Sequence, residues 1–161
     1  MIPYIIKDDF LNKDIFYGLK NNFDKQHLFE HILQDIAKNE LYNHRLQLRD
    51  IVHNKRCNHS DNPDDCFCNI YFVTHKSGHV TSPHLDNSWK LLSSVLYVSD
   101  EGDGTIFIDN DKEIQIEWKP NRLVSFIPSQ DSWHKYQNTL DVDRQTVTFF
   151  YGNKISENKI K

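Results

Sequence analysis

SPHLDNSWKLLSSVLYVSDEGDGTIFID, residues 82–109, is the stretch that decides the fold. Positions 91–99 hold Leu, Val, Ser and Tyr, a run that suits a half-buried strand. Asp100-Glu-Gly-Asp-Gly104 is a strong turn signal, and 105–109 resumes an apolar-rich strand. Further strands are expected at 67–74, 82–86, 113–118, 123–127, 133–138 and 144–151, with a second turn at Asp109-Asn-Asp111. Eight short, closely spaced strands point to a double-sheet jelly roll, an architecture that includes the cupins. An immunoglobulin-like sandwich also has many short strands, but it explains neither the helices that come first nor the polar residues described next.

Upstream, residues 8–43 read as helical. Asp8 or Asn12 is placed to cap a first helix carrying Ile15, Phe16 and Leu19, and Asn21-Asn22 interrupts it. A second helix follows, with Leu28, Ile32, Leu33, Ile36 and Leu41 at mostly three-to-four-residue spacing. Residues 45–53 read as a strand through Leu46, Leu48 and Ile51. Residues 54–65, rich in Asn, Asp and Cys, read as a loop placed to select substrate or simply to cover the surface. The expectation is therefore one domain over 1–161, mainly β with N-terminal helices: helical support at about 8–43 and a jelly-roll core at about 67–152. A chain of 161 residues fits a single core.

A net charge of −4 does not suggest a nucleic-acid binder, and the short basic run His53-Asn-Lys-Arg56 does not change that. No apolar run approaches a membrane span, and the opening MIPYIIKDDF lacks a basic leader region. The sequence reads as that of a cytoplasmic protein, monomer or homodimer. Its three cysteines, Cys57, Cys66 and Cys68, are an odd number for a paired framework. With His59 they could hold zinc, although their spacing lacks the usual spacer at both ends. Unliganded thiols are the simpler reading.

The chemistry concentrates in His84-Leu-Asp86, His134 and Arg144. Residues two apart on a strand share a face, so His84 and Asp86 can reach one metal. A third neutral ligand is then needed from the C-terminal strands, and His134 is the histidine available there. Two histidines and one carboxylate with open positions suit Fe(II). Each has an ordinary alternative: H-x-D is common by chance, and His134 taken alone would be a partly buried histidine. Arg144 opens the last strand, where alternation sets Arg144, Thr146, Thr148 and Phe150 on one face. A guanidinium there needs an anion, either a ligand carboxylate or a rim partner such as Asp143 or Asp141. Thr146 can add a hydroxyl to the same ligand. Tyr97, and less favourably Tyr71, can donate from other strands, or simply pack. His75 and His79 flank a turn and can line a mouth.

Taken together these pieces resemble the 2-oxoglutarate and Fe(II)-dependent dioxygenases, nearest the prolyl-hydroxylase-like branch. The resemblance rests on His84-Leu-Asp86, Leu96-Tyr-Val-Ser99, Gly102-Asp-Gly-Thr-Ile-Phe107, Lys119-Pro-Asn-Arg-Leu-Val-Ser-Phe126, Trp133-His134 and Arg144-Gln-Thr146. It covers 67–152, and residues 8–43 resemble the family's support helices. It implies a double-stranded β-helix with Fe(II) held by His84, Asp86 and His134. It implies the far carboxylate of 2-oxoglutarate on Arg144, with Tyr97 bonded to it. Two departures stand out. Thr74 occupies a position that is often a second tyrosine, with Tyr71 three residues earlier. Asp103 replaces one of two glycines that usually precede the strand-four threonine.

The implied reaction consumes O2 and 2-oxoglutarate, releases succinate and CO2, and hydroxylates an unactivated C–H bond. The substrate implied first is a prolyl residue in a peptide or protein, with a free amino acid or other small molecule as the alternative. A cupin-like metalloenzyme that uses no 2-oxoglutarate and a non-catalytic β-sandwich binding module are the competing classes. Neither needs the Arg144 and Tyr97 pair.

Overall fold

The computed structural model describes residues 2–52, 66–87 and 89–153. Helix α1 (Lys13–Asn21) starts where the Asn12 side chain accepts a 2.9 Å bond from the Ile15 amide, the N-cap expected of an asparagine there. After a short 3-10 turn comes α2 (Glu30–Val52). This long helix corrects the sequence reading: of the strand expected at 45–53, residues 45–52 are helix and His53 lies outside the described residues, and the helical support does not stop at 43. The physical reason is an unbroken buried stripe, Leu33, Ala37, Leu41, Arg45 and Leu48, at helical spacing, with no Gly or Pro across the span. Each fully buried leucine on that stripe contributes roughly 2 kcal/mol.

The strands are β1 (Tyr4–Lys7), β2 (Cys66–His75), β3 (Lys90–Tyr97), β4 (Ile106–Asp109), β5 (Lys112–Gln115), β6 (Leu123–Phe126), β7 (His134–Lys135) and β8 (Arg144–Asn153). They form a five-stranded sheet, β1-β6-β3-β8-β2, facing a three-stranded sheet, β5-β4-β7, with every pairing antiparallel. The architecture is the expected one, a double-stranded β-helix with N-terminal helices. β1 is an addition that the sequence did not suggest. The strand expected at 82–86 contracts to a single bridge, His84 with His134, because Pro83 has no amide hydrogen to donate to a ladder. The expected strand at 133–138 shortens to β7. The 54–65 loop, with Cys57 and His59, lies outside the described residues, so the zinc reading falls there. Cys66 and Cys68 form no disulfide among the described residues, and burial pushes the Cys68 thiol up to about 12, which makes it inert.

Strand alternation divides the large sheet into two faces. Val147, Phe149 and Tyr151 of β8 and Leu92 and Leu96 of β3 meet the α2 stripe in the main core. Arg144, Thr146, Thr148 and Phe150 of β8, with Ser93 and Val95 of β3, face the other way into a cavity between the sheets. A smaller cluster of Ile2, Tyr97, Phe107, Ile116, Val124 and Phe126 fills the remaining space between them. The turn before β6 is locked to the α1 entry by Asn121. Its side chain accepts from the Leu11 amide at 2.9 Å and donates to the Leu11 carbonyl at 2.7 Å. No helix is long and apolar enough to cross a membrane among the described residues.

Candidate metal centre and anion pocket

His84 and His134 are direct partners across their bridge. The His84 amide donates to the His134 carbonyl at 3.0 Å, and the His134 amide donates back at 3.1 Å. Each ring also finds a carbonyl two residues before it: His84 Nδ1 lies 3.1 Å from the Ser82 oxygen, and His134 Nδ1 lies 2.9 Å from the Ser132 oxygen. A carbonyl only accepts, so both Nδ1 atoms carry the hydrogen. Both Nε2 lone pairs are therefore free for a metal, the arrangement typical of ligating histidines. The ligand atoms of His84, Asp86 and His134 all lie within 4.8 Å of one another. Burial, partly opposed by the Ser132 bond and the Asp86 charge, holds His134 below the usual histidine pKa and so in its neutral, ligating form.

Asp86 is held from two sides. Lys90 Nζ reaches Oδ1 at 2.5 Å and Ser93 Oγ donates to Oδ2 at 2.5 Å. Burial alone would raise the Asp86 carboxyl, but these two bonds outweigh it and leave the carboxyl below its ordinary value. An ionised carboxylate and two imidazoles that present Nε2 are a donor set that fits Fe(II).

The cavity, about 310 Å³, runs from this cluster to Arg144. Arg144 is 2% exposed. Its Nε donates to the Asp103 carbonyl at 2.7 Å, and its guanidinium lies beside the rings of Trp118 and Tyr136, each at 5.3 Å. No carboxylate of the described residues pairs with it; Asp143 is taken by Lys76. Burial works against its charge, pulling its pKa below the usual arginine value. A buried guanidinium that opens into a cavity with no carboxylate bonded to it, and only the Asp103 charge nearby, is the physical description of a carboxylate receptor. Thr146, 1% exposed, lines the same wall.

Two expected residues sit elsewhere. The Tyr97 side chain is fully buried behind the cavity wall. Its hydroxyl accepts from the Thr105 amide at 2.8 Å and donates to Thr105 Oγ1 at 3.1 Å, while its ring stacks on Trp118 at 4.3 Å. A direct bond from Tyr97 to a ligand is therefore not what this geometry offers; Thr105 lines the cavity in its place. Tyr71 does line the cavity, but at its rim, half exposed and tilted against Phe150 at 5.4 Å. It pairs with Thr148, whereas the β2 residue opposite Arg144 is His75. The arginine end thus receives His75 and Tyr136. Tyr136 follows His134 by two residues and so shares its face, a signal present in the sequence. The His79 ring lies tilted against His75 at 4.5 Å without lining the cavity.

No family model and no curated protein matches this sequence. Solved structures do share its architecture. A Pseudomonas putida prolyl-4-hydroxylase superimposes with a TM-score of 0.67 at 17% identity, covering 95% of this chain and 89% of that one. A viral collagen prolyl hydroxylase from Paramecium Bursaria Chlorella virus-1 gives 0.64 at 15%, covering 93% and 89%. A Trichoplax adhaerens prolyl hydroxylase, solved with a hypoxia inducible factor peptide fragment, gives 0.64 at 12%, covering 98% and 87%. At these identities the likeness is one of fold.

Proposed function

We propose that this chain is an Fe(II)- and 2-oxoglutarate-dependent dioxygenase that hydroxylates an unactivated C–H bond, with a prolyl residue in a peptide or protein as the substrate the similar structures favour. The observation that carries this reading is Arg144: a buried guanidinium with no protein carboxylate, in one cavity with His84, Asp86 and His134. A 2-oxoglutarate-independent cupin has no need of such a residue. The whole of 1–161 is taken as a single domain, since the main core joins α1 and α2 to β3 and β8.

In this reading His84, Asp86 and His134 hold Fe(II). When bound, the metal couples O2 and the decarboxylation of 2-oxoglutarate, to succinate and CO2, with hydroxylation of the substrate. The protein supplies position. Arg144 presents two parallel donors to the far carboxylate of 2-oxoglutarate, and Thr146 adds a hydroxyl beside it. Val73, Val95 and Phe126 give the cavity apolar walls that keep water from the reacting atoms. The carbonyls of Ser82 and Ser132 keep both imidazoles in the ligating tautomer through turnover.

Anaerobic addition of 2-oxoglutarate to the Fe(II)-loaded protein tests this. A visible charge-transfer band, absent in Asp86→Ala and weakened in Arg144→Ala, is expected. Bound iron with no band would remove 2-oxoglutarate from the reaction and return the chain to the cupin-like class.

A further inference from the structure

Lys90 faces the cavity against the alternation of its own strand. On β3 the cavity residues are Ser93 and Val95, so an even-numbered neighbour belongs on the opposite face, with Leu92 and Leu96. The β3–β8 register shifts between Lys90 and Leu92, and this irregularity turns Lys90 inward. Bulges beside functional sites commonly re-aim a side chain in this way. The ammonium then rests 3.3 Å from the centre of the Phe150 ring and 2.5 Å from Asp86 Oδ1, with the side chain only 9% exposed.

That ion pair conflicts with a loaded site. Fe(II) and the ammonium would draw on one carboxylate, whose other oxygen already accepts from Ser93. Asp86 is the only acid that lines the cavity among the described residues, against two basic side chains, Lys90 and Arg144. On the metal side, a divalent metal and Lys90, set against Asp86 and the near carboxylate of 2-oxoglutarate, leave one positive charge over, while Arg144 at the other end has the far carboxylate and the Asp103 charge. Lys90 is also at the wrong end to serve the far carboxylate of 2-oxoglutarate. Phe150, against which it rests, lies six residues along β8 from Arg144, about 20 Å of extended strand. The surplus charge therefore lies on the metal side, near the rim marked by Tyr71 and Phe150.

We infer that Lys90 anchors the substrate. When metal occupies the His84, Asp86 and His134 cluster, the ammonium exchanges Asp86 for a carboxylate that the substrate carries close to its target carbon. This rests on the metal and co-substrate reading above and deepens it. It names the substrate class as anionic: a prolyl unit with a free α-carboxylate, as in a C-terminal residue or the free amino acid, rather than a prolyl residue inside a neutral stretch of chain.

The test uses the whole protein loaded with Mn(II) and 2-oxoglutarate without O2, so that binding is read by calorimetry and turnover is not needed. N-acetylproline and N-acetylprolinamide share a ring and differ by one charge. The acid is expected to bind at least about tenfold more tightly than the amide, the scale of one charge-assisted hydrogen bond. Lys90→Met should bring the acid down to the amide's level, Lys90→Arg should keep the preference, and neither should change 2-oxoglutarate affinity. Equal binding of acid and amide, undetectable binding of the acid, or a preference that survives Lys90→Met overturns the inference. A loss confined to 2-oxoglutarate affinity would assign Lys90 to the co-substrate and overturn it as well. Failure of the Mn(II) protein to bind 2-oxoglutarate at all, seen in the first titration, would instead overturn the proposed function.

Discussion

His84 and His134 exchange two backbone hydrogen bonds across a single bridge, so the strand contact that joins these two segments also sets the spacing of two imidazoles. The backbone bonds do not depend on the side chains. His84→Asn and His134→Asn should therefore each abolish stoichiometric metal binding while leaving the far-ultraviolet circular dichroism of the folded protein in place. Metal retained in both variants would refute the ligand assignment.

Ser93 tests the layer behind the ligands. Its hydroxyl fixes one oxygen of Asp86, and removing such a contact typically weakens metal binding about 10–100-fold. Ser93→Ala is expected to lose affinity on that scale in a direct Mn(II) or Fe(II) titration, with the site still saturable at high metal. Unchanged affinity would show that the Ser93 bond does not orient the carboxylate for the metal.

Arg144 should separate function from stability. No carboxylate of the described residues is bonded to its buried charge, which feels Asp103 only at a distance, so the folded protein gains little from it. Arg144→Met should lower 2-oxoglutarate affinity by at least about 30-fold, the effect of losing about 2 kcal/mol from a buried charge pair, with a melting temperature equal to or above that of the parent. Arg144→Lys should fall between, because a point charge replaces a fork. A large drop in melting temperature for Arg144→Met would mark the arginine as structural.

Much of this was legible in the sequence because its signals are local. The strand alternation of 144–150 placed Arg144 and Thr146 on the cavity face, and the His84-Leu-Asp86 motif marked two candidate ligands that do come together, although through a single bridge rather than the expected strand. What escaped depends on non-local geometry. Lys90 was hidden by a bulge that inverts its parity, which only the pairing with β8 reveals. Tyr97 has the right parity, but the close approach of Gly104 to the Ile116 carbonyl brings Thr105 over its hydroxyl. The strand expected at 45–53 is helix through Val52: Leu46 and Leu48 also satisfy a two-residue alternation, and only the stripe continuing from Leu33 through Leu41 decides for helix.

Asp103 holds the floor beneath the arginine. Its carbonyl accepts from Arg144 Nε, and its carboxylate accepts from the Thr139 amide and hydroxyl at 2.6 and 2.7 Å. This tie between the turn after β3 and the loop before β8 cannot be made by a glycine. Asp103→Ala should raise KM for 2-oxoglutarate several-fold with kcat within about twofold, because the guanidinium stays but its support loosens. A fall in kcat at unchanged KM would move Asp103 out of this positioning role.

His75 makes stability depend on pH. It sits opposite Arg144, and its Nδ1 is buried without a hydrogen-bond partner. Burial, then the Arg144 charge, then His79, lower its pKa from 6.5 to about 4. The folded state thus prefers neutral His75, while the unfolded chain takes up the proton first. Its contribution is complete above about pH 6.5 and is lost as pH falls towards 4, where protonation places a cation beside Arg144. His75→Asn should flatten melting temperature against pH across that window. His44 and His134, also lowered by burial, keep some slope in place. Parallel curves for parent and variant between pH 7 and 4 would show that His75 carries none of the acid sensitivity.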